Sequence, residues 1–119
     1  MNLHKLLRIM ALAALIPTTA NCETGIASWY GTANTVTSTG KKLSARTPAA
    51  AHKTLPFGTK IRVTSLRTKK SVVAVIEDRG PFTKRRILDL NKIAASKLGM
   101  LKDGIVKVNV EIIERRANR

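Results

Sequence analysis

The stretch Glu77-Asp78-Arg79-Gly80-Pro81-Phe82 decides how the rest of the chain is interpreted. It follows the apolar run Val72-Val73-Ala74-Val75-Ile76, and a β-branched run that stops at Gly-Pro predicts a buried strand ending in a turn. Asp78 is therefore expected at the carboxyl end of a strand, beside a loop. An acid in that position can be half-desolvated and still reach a ligand, as a general acid/base must, although strand-end aspartates also cap turns.

Glu77 and Asp78 are neighbours on this predicted strand, so strand alternation directs their side chains to opposite faces. The two acids of an ordinary glycosidase face each other across the substrate at roughly 5 to 9 Å. We therefore do not expect Glu77 and Asp78 to act as such a pair.

Residues 1–20 have the composition of an export signal. Lys5 and Arg8 precede a uniformly apolar segment, residues 9–16, and the following residues end in the small Ala20. The apolar segment is too short to span a bilayer. We expect cleavage after Ala20 and a protein that works outside the cytoplasm, in the periplasm or cell envelope, or secreted.

Cys22 is the single cysteine of the chain, so it cannot form an internal disulfide. Two fates stay open for it near the mature terminus. It could carry the lipid of an outer-membrane lipoprotein, with residues 1–21 removed, or it could be an unmodified thiol. Asn21 stands where lipoprotein signals usually have Gly, Ala or Ser, which favours plain export.

The chain is strongly basic, with 22 Lys and Arg against 7 Asp and Glu and a net charge of +15. The predicted export segment contains two of the basic residues and no acid, which leaves +13 on the remainder. Such a charge attracts polyanions. For an exported protein these are anionic wall polymers and membrane surfaces. Nucleic acid is not expected as a partner, because only four aromatic residues and no RNA-reading aromatic motif are present.

The remaining patterns predict several short strands and one brief helix. Residues 25–31, 60–66 and 105–112 have strand composition or alternation, and a helix is expected after Asn91 with Gly99 as its stop. Trp29 and Tyr30 should lie on opposite faces of the first strand. One ring can join the core while the other lines a groove, and a core role for such an aromatic ring stays equally open. We expect a single, monomeric domain over residues 24–114, mainly β and built as a small barrel, followed by a basic tail, residues 115–119.

His52 lies in the segment Ala49-Ala50-Ala51-His52-Lys53-Thr54-Leu55-Pro56-Phe57-Gly58-Thr59, where Pro56 and Gly58 predict a tight reversal. A lone histidine near a turn can be a hydrogen-bonded structural residue or a catalyst. The local pattern leaves both open.

Four ordered segments resemble the motifs of the rare lipoprotein A (RlpA) family: Gly25-Ile26-Ala27-Ser28-Trp29-Tyr30-Gly31, residues 50–59, Asp78-Arg79-Gly80-Pro81-Phe82, and Arg86-Ile87-Leu88-Asp89-Leu90 with Leu98-Gly99. The resemblance implies a six-stranded double-psi β-barrel with one or two short helices, the fold of expansins. It also implies an endolytic lytic transglycosylase that cuts the β-1,4 bond between N-acetylmuramic acid and N-acetylglucosamine in peptide-poor peptidoglycan, leaving 1,6-anhydro ends.

By this resemblance Asp78 is the single acid/base and His52 orients the substrate or stabilises charge beside it. Arg79, Phe82, Trp29 and Tyr30 are the expected substrate-binding residues. No cofactor and no metal are implied. Asp89, just outside the helix, is interpreted as structural.

Two observations keep other functions open. Many family members carry an acid in the first loop where this chain has Lys41. A non-catalytic, expansin-like module that binds wall polysaccharide would also fit the basic charge. The sequence does not distinguish the producer's own wall from that of another organism.

Overall fold

The computed structural model describes residues 22–30 and 46–115. The predicted export segment, Lys41 and residues 116–119 of the basic tail lie outside the described residues. The described part contains six strands and one helix: β1 (Cys22–Trp29), β2 (Ala49–His52), β3 (Lys60–Ser65), β4 (Ser71–Asp78), β5 (Arg86–Leu90), α1 (Lys92–Leu98) and β6 (Ile105–Glu114).

The six strands close into a barrel in the order β1-β5-β2-β4-β3-β6. Strands β1 and β5, and likewise β2 and β4, pair in parallel, whereas the other four neighbouring pairs are antiparallel. Closure leaves no unpaired edge among these strands. The prediction of a mainly β, six-stranded barrel with a short helix is confirmed.

Alternation along β3, β4 and β6 directs every second side chain into the barrel. Strand β4 buries Val72, Ala74 and Ile76 but leaves Val73 45% exposed, so the expectation that this whole run is buried is wrong. The barrel wall is a single β-sheet, so alternate side chains of β4 point to its outer face, where Val73 meets solvent.

Strands β2 and β5 were not predicted as strands. Alanine has a weak preference for strands, yet all four residues of β2 are buried between β4 and β5. The small side chains allow these neighbours to approach, so this strand is specified by tertiary packing.

Helix α1 is capped as predicted. The Asn91 side chain accepts a hydrogen bond from the Ala94 amide, and Gly99 ends the helix in the left-handed region at φ 72°. Asn91 also accepts from the amide of Ala49 and donates to the carbonyl of Thr47, at 3.1 and 2.8 Å. The cap therefore fixes the start of β2 as well as the helix.

The hydrophobic core, formed by the inward side chains of the barrel together with α1 and Met100, is mainly aliphatic. The largest side chains that are fully buried are Ile61, Ile76, Leu88, Leu90, Leu98 and Met100. Burial of each such side chain stabilises the fold by about 1.5–3 kcal/mol. Over the ranges 22–30 and 46–115, no helix is long and apolar enough to cross a membrane.

Candidate active site

Asp78 is the last residue of β4, at the predicted strand end. Its carboxylate is half-buried, and its Oδ1 accepts the backbone N–H of Arg79 at 2.8 Å. The strand is irregular just before it: Ala50 pairs with Ile76, but Ala51 pairs with Asp78, so Glu77 is an extra residue in the ladder.

One row of four residues, three of them polar, crosses four strands on the outer side of the barrel wall. In register, Ser28 pairs with Asp89, Asp89 with Ala51, and Ala51 with Asp78. Directly paired residues share a face. We call Ser28, Asp89, Ala51 and Asp78 the outer row. Within it the Ser28 hydroxyl donates a short hydrogen bond to Asp89 Oδ1.

The neighbouring rows show that the outer row faces away from the core. One row contains Ala27 and Leu88, the other Leu90, Ala50 and Ile76, and all of these belong to the hydrophobic core. Because side chains alternate, the outer row between them points outward.

Tyr30 lies beside the outer row, at the end of β1. Its pKa is raised well above the ordinary range, first by burial of the phenol and then by the carboxylates of Asp78, Glu77 and Asp89. The hydroxyl oxygen is buried and has no hydrogen-bond partner among the residues that the structure describes. Tyr30 is therefore a protonated donor close to three acids.

Strict strand alternation predicted that the side chains of Glu77 and Asp78 point to opposite faces, but β4 is not regular at this point. The extra residue interrupts the ladder at this point, and the carboxylates of both Glu77 and Asp78 act on Tyr30. The prediction of simply opposite faces therefore fails at the end of β4.

His52 ends β2, next to the strand that ends at Asp78, and the two strands run in parallel. However, His52 pairs with Leu88 of the core, whereas Asp78 pairs with Ala51. The imidazole therefore leaves the sheet on the inner side, at the mouth of the barrel. The two residues share one rim, and in the described part of the chain their side chains form no hydrogen bond with each other. That His52 orients the substrate or stabilises charge near Asp78 stays a prediction.

His52 is buried, with a side chain that is only 9% exposed, and both ring nitrogens have hydrogen-bond partners. Nδ1 accepts the backbone N–H groups of Thr54 and Leu55, each at 3.1 Å, and Nε2 lies 3.0 Å from Glu23 Oε1. Because Nδ1 is an acceptor, the ring proton sits on Nε2 and is donated to Glu23. His52 thus fixes the turn after β2.

The His52 and Glu23 side chains line a pocket of about 310 Å³ at the barrel mouth. Its other lining residues are Cys22, Thr54, Leu55, Val110, Ile112 and Arg115. Cys22 is exposed and forms no disulfide. No group of three or more His, Cys, Asp and Glu side chains within 22–30 and 46–115 is arranged to hold a metal ion.

Arg79 connects the rim of the barrel to the turn after β2. Its Nη1 donates to the backbone carbonyl of His52 at 3.0 Å, and its guanidinium carbon lies 4.2 Å from the centre of the Phe57 ring. A cation over an aromatic face is attracted by the ring quadrupole. The guanidinium is thereby held between the His52 carbonyl and the Phe57 ring, while the backbone N–H of Arg79 bonds to Asp78.

The other predicted binding residues separate into two groups. Phe82 is 91% exposed on the loop after Asp78, where its ring is accessible to a ligand. Trp29 packs against the hydrophobic core, whereas Tyr30 lies outside it next to the acids. The expected core position of one ring is thus found for Trp29, whereas a substrate groove at Tyr30 stays a prediction.

A family model described as lytic transglycolase matches residues 22–110. The chain belongs to this family. Its relatives include three bacterial proteins named endolytic peptidoglycan transglycosylase RlpA, so the predicted membership of the RlpA family is confirmed. The chain is 44% identical over 91 residues to that of Campylobacter jejuni, 44% over 93 to that of Neisseria meningitidis serogroup B, and 38% over 102 to that of Rickettsia felis.

These matches cover 75%, 76% and 82% of the chain but only 33%, 39% and 45% of the relatives. A further RlpA relative, from Nostoc, is 46% identical and is covered over 26% of its length. The chain thus spans less than half of the length of each of these curated relatives.

Solved structures with the same fold include Streptomyces papain inhibitor and an expansin of Clavibacter michiganensis. The first has a TM-score of 0.65 and 20% identity, covering 83% of this chain and 99% of the inhibitor. The second has a TM-score of 0.62 and 22% identity, covering 82% of this chain and 52% of the expansin. At these identities the likeness concerns the fold, and with the family match it confirms the double-psi β-barrel.

Sequence reasoning missed the outer row as a unit. Asp89 was interpreted as structural, yet it lies in the same row as Asp78, with only Ala51 of β2 between them, and it accepts the hydrogen bond of the Ser28 hydroxyl. Ser28 and Asp89 are 61 residues apart in sequence. No local pattern could have joined them, because their contact depends on the parallel pairing of β1 with β5.

Proposed function

We propose that this domain is an endolytic peptidoglycan lytic transglycosylase with Asp78 as its single acid/base. The substrate is the glycan strand, cleaved between N-acetylmuramic acid and N-acetylglucosamine in peptide-poor regions. Membership of the lytic transglycolase family and the names of the RlpA relatives support this reaction class. The observation that carries the site assignment is the position of Asp78, at a strand end and in one outward row with Ser28 and Asp89.

One carboxyl group is enough for this reaction. Protonated Asp78 gives its proton to the glycosidic oxygen as the bond from that oxygen to the muramic acid C1 breaks. The C6 hydroxyl of the same sugar then bonds to C1, and its proton passes to the Asp78 carboxylate. The products are a free 4-hydroxyl on N-acetylglucosamine and a 1,6-anhydro end, and Asp78 returns to its starting form without consuming water.

The neighbours of Asp78 supply fixed polar groups. The Ser28 hydroxyl holds the Asp89 carboxylate in place. The phenol of Tyr30 stays protonated because burial and three carboxylates raise its pKa, so it adds no further negative charge beside Asp78. Phe82 offers an exposed ring for stacking on a sugar face.

His52 acts as a positioning residue in this proposal. Its ring nitrogens are occupied by Thr54, Leu55 and Glu23, while its backbone carbonyl holds Arg79. His52 thus orders the rim next to Asp78 without contacting the reacting atoms.

The domain works outside the cytoplasm, where peptidoglycan is found. The charge of +13 that remains without the predicted export segment draws it to anionic wall polymers or membrane surfaces. Whether Cys22 carries a lipid separates an outer-membrane lipoprotein from a soluble periplasmic or secreted enzyme, and mass spectrometry of the mature N-terminus distinguishes them.

Mass spectrometry of the soluble products tests the proposal directly. Purified protein incubated with peptide-free glycan strands should release fragments with 1,6-anhydro ends. Asp78→Asn should abolish release, whereas the matched control Asp103→Asn, at a carboxylate paired with Arg67, should retain it. Hydrolytic, reducing ends in place of anhydro ends would contradict the lyase, and release by Asp78→Asn would contradict the site.

A non-catalytic, expansin-like binding function is the second candidate. It is favoured by the shared fold with two expansin structures, one of them described as a mutant in complex with cellohexaose. This function predicts retention of the protein on insoluble peptidoglycan with no soluble product, and unchanged retention of Asp78→Asn.

A further inference from the structure

Arg79 has a guanidinium that is restrained but not neutralised. It is half-buried, donates to the His52 carbonyl at 3.0 Å and lies over Phe57 at 4.2 Å. The ion pairs of the described residues involve other cations, and none of them uses Arg79. A partly desolvated cation usually has an anionic partner.

The free part of this guanidinium is suited to a carboxylate. One Nη1 hydrogen is used by His52, which leaves further N–H groups of the planar fork. Such a fork matches the two oxygens of a carboxylate and binds them in a bidentate way. The contacts to His52 and Phe57 reduce the side-chain entropy that binding would otherwise cost.

The position of Arg79 limits which carboxylate it can meet. It follows Asp78 directly, and its backbone N–H bonds to the Asp78 carboxylate at 2.8 Å. The lactyl group on C3 is carried by the same ring as C1, so a substrate with its muramic acid C1 at Asp78 presents that group at the end of β4 that Arg79 follows. That lactyl group ends in a carboxylate in peptide-free glycan and in a neutral amide where a stem peptide is attached.

We propose that Arg79 is a specificity-determining residue that binds the free lactyl carboxylate of the muramic acid unit at the cleavage site. This inference rests on the proposed function and adds the group that the site recognises. A stem peptide removes the negative charge and adds bulk, so Arg79 loses its partner on peptide-bearing strands.

The experiment compares two glycan substrates that differ only in this group: peptide-free strands, and the same strands with their lactyl carboxylates converted to primary amides. We expect the wild type to prefer the free acid by about tenfold in kcat/KM, since a charge-assisted hydrogen bond at a half-exposed site supports a difference of that size. In Arg79→Gln this ratio should fall towards one.

Arg62→Gln is the matched control. Arg62 is paired with Glu111 at 2.8 Å on β3 and carries the same charge. If general attraction to the basic protein caused the preference, Arg62→Gln would lower the ratio as much as Arg79→Gln, and that result would overturn the proposal.

A merely structural role of Arg79 would lower both rates together and leave the ratio unchanged, which would also overturn the proposal.

If Arg79→Gln does not fold, Arg79→Lys keeps the charge but loses the planar fork of N–H groups, and the ratio should then fall by about threefold. An unchanged ratio in Arg79→Lys counts against carboxylate recognition. Affinity for soluble fragments of the two strands keeps the test separate from catalysis. If the wild type makes no anhydro product, the proposed function fails, whereas the affinity ratio still decides the role of Arg79.

Discussion

Substitution of His52 separates a positioning role from direct contact with the substrate. The His52 ring accepts two backbone N–H groups of the following turn through Nδ1, from Thr54 and Leu55. An asparagine side chain can accept from the same two amides, since its oxygen commonly bonds to N–H groups two and three residues ahead. His52→Asn therefore preserves the turn, whereas His52→Ala does not.

The expected magnitudes follow from these contacts. In His52→Ala the buried N–H of Leu55 loses its acceptor, which costs about 1–3 kcal/mol. The N–H of Thr54 can be solvated, and the half-exposed contact with Glu23 contributes only about 0.5 kcal/mol. Together with lost ring packing, His52→Ala should lower the free energy of unfolding by about 3 kcal/mol, and His52→Asn by about 1 kcal/mol.

Urea unfolding followed by fluorescence measures this difference. Trp29 is the only tryptophan and packs against the core, so its emission reports the folded state. In the same variants, release of anhydro products should persist in His52→Asn and fall in His52→Ala at temperatures where both are folded. Equal destabilisation of the two variants, or equal loss of product in both, would refute the positioning role and indicate that the imidazole itself acts on the substrate.

Three further outcomes are expected. Asp78→Asn should lower the rate of product release by at least about 100-fold with an unchanged unfolding midpoint, because the new amide oxygen can still accept the Arg79 N–H; Asp103→Asn should change neither. Tyr30→Phe should leave the free energy of unfolding at pH 7 unchanged or raise it by up to about 1 kcal/mol, because the hydroxyl has no partner among the described residues. The pKa of Tyr30 is raised in the folded state, so above about pH 10 the unfolded chain loses the phenol proton before the folded protein does. The free energy of unfolding of the wild type should therefore be constant with respect to Tyr30 below about pH 10 and fall by up to about 1.4 kcal/mol per pH unit above it. Urea unfolding at several pH values should show no such fall in Tyr30→Phe. Asn91→Ala should cost about 2–4 kcal/mol, since the helix cap and the acceptor of the buried Ala49 amide are both lost; a loss below about 1 kcal/mol in urea unfolding would show that water replaces these bonds.

Much of the local structure could be predicted because it depends on neighbouring residues. Alternation identified β3 and β6, and the end of β4 at Asp78 agreed with the Gly80-Pro81 break. Asn91 and Gly99 act as helix caps through contacts within a few residues. These features require no knowledge of which strands become neighbours.

The motifs also carried the family and, through it, the reaction class. That information came from four ordered segments and not from periodicity. The family match over residues 22–110 supports it.

The sequence by itself thus determined a small basic β domain, its helix and the position of Asp78 at a strand end, because each depends on side-chain alternation or on short-range hydrogen bonds. Only the tertiary structure decided what surrounds Asp78. The parallel pairings of β1 with β5 and of β2 with β4 bring Ser28 and Asp89 into its row and turn the His52 ring to the barrel mouth. Parallel strands are joined by long connections, and their register is set by how the whole barrel closes, which no local stretch of the chain encodes.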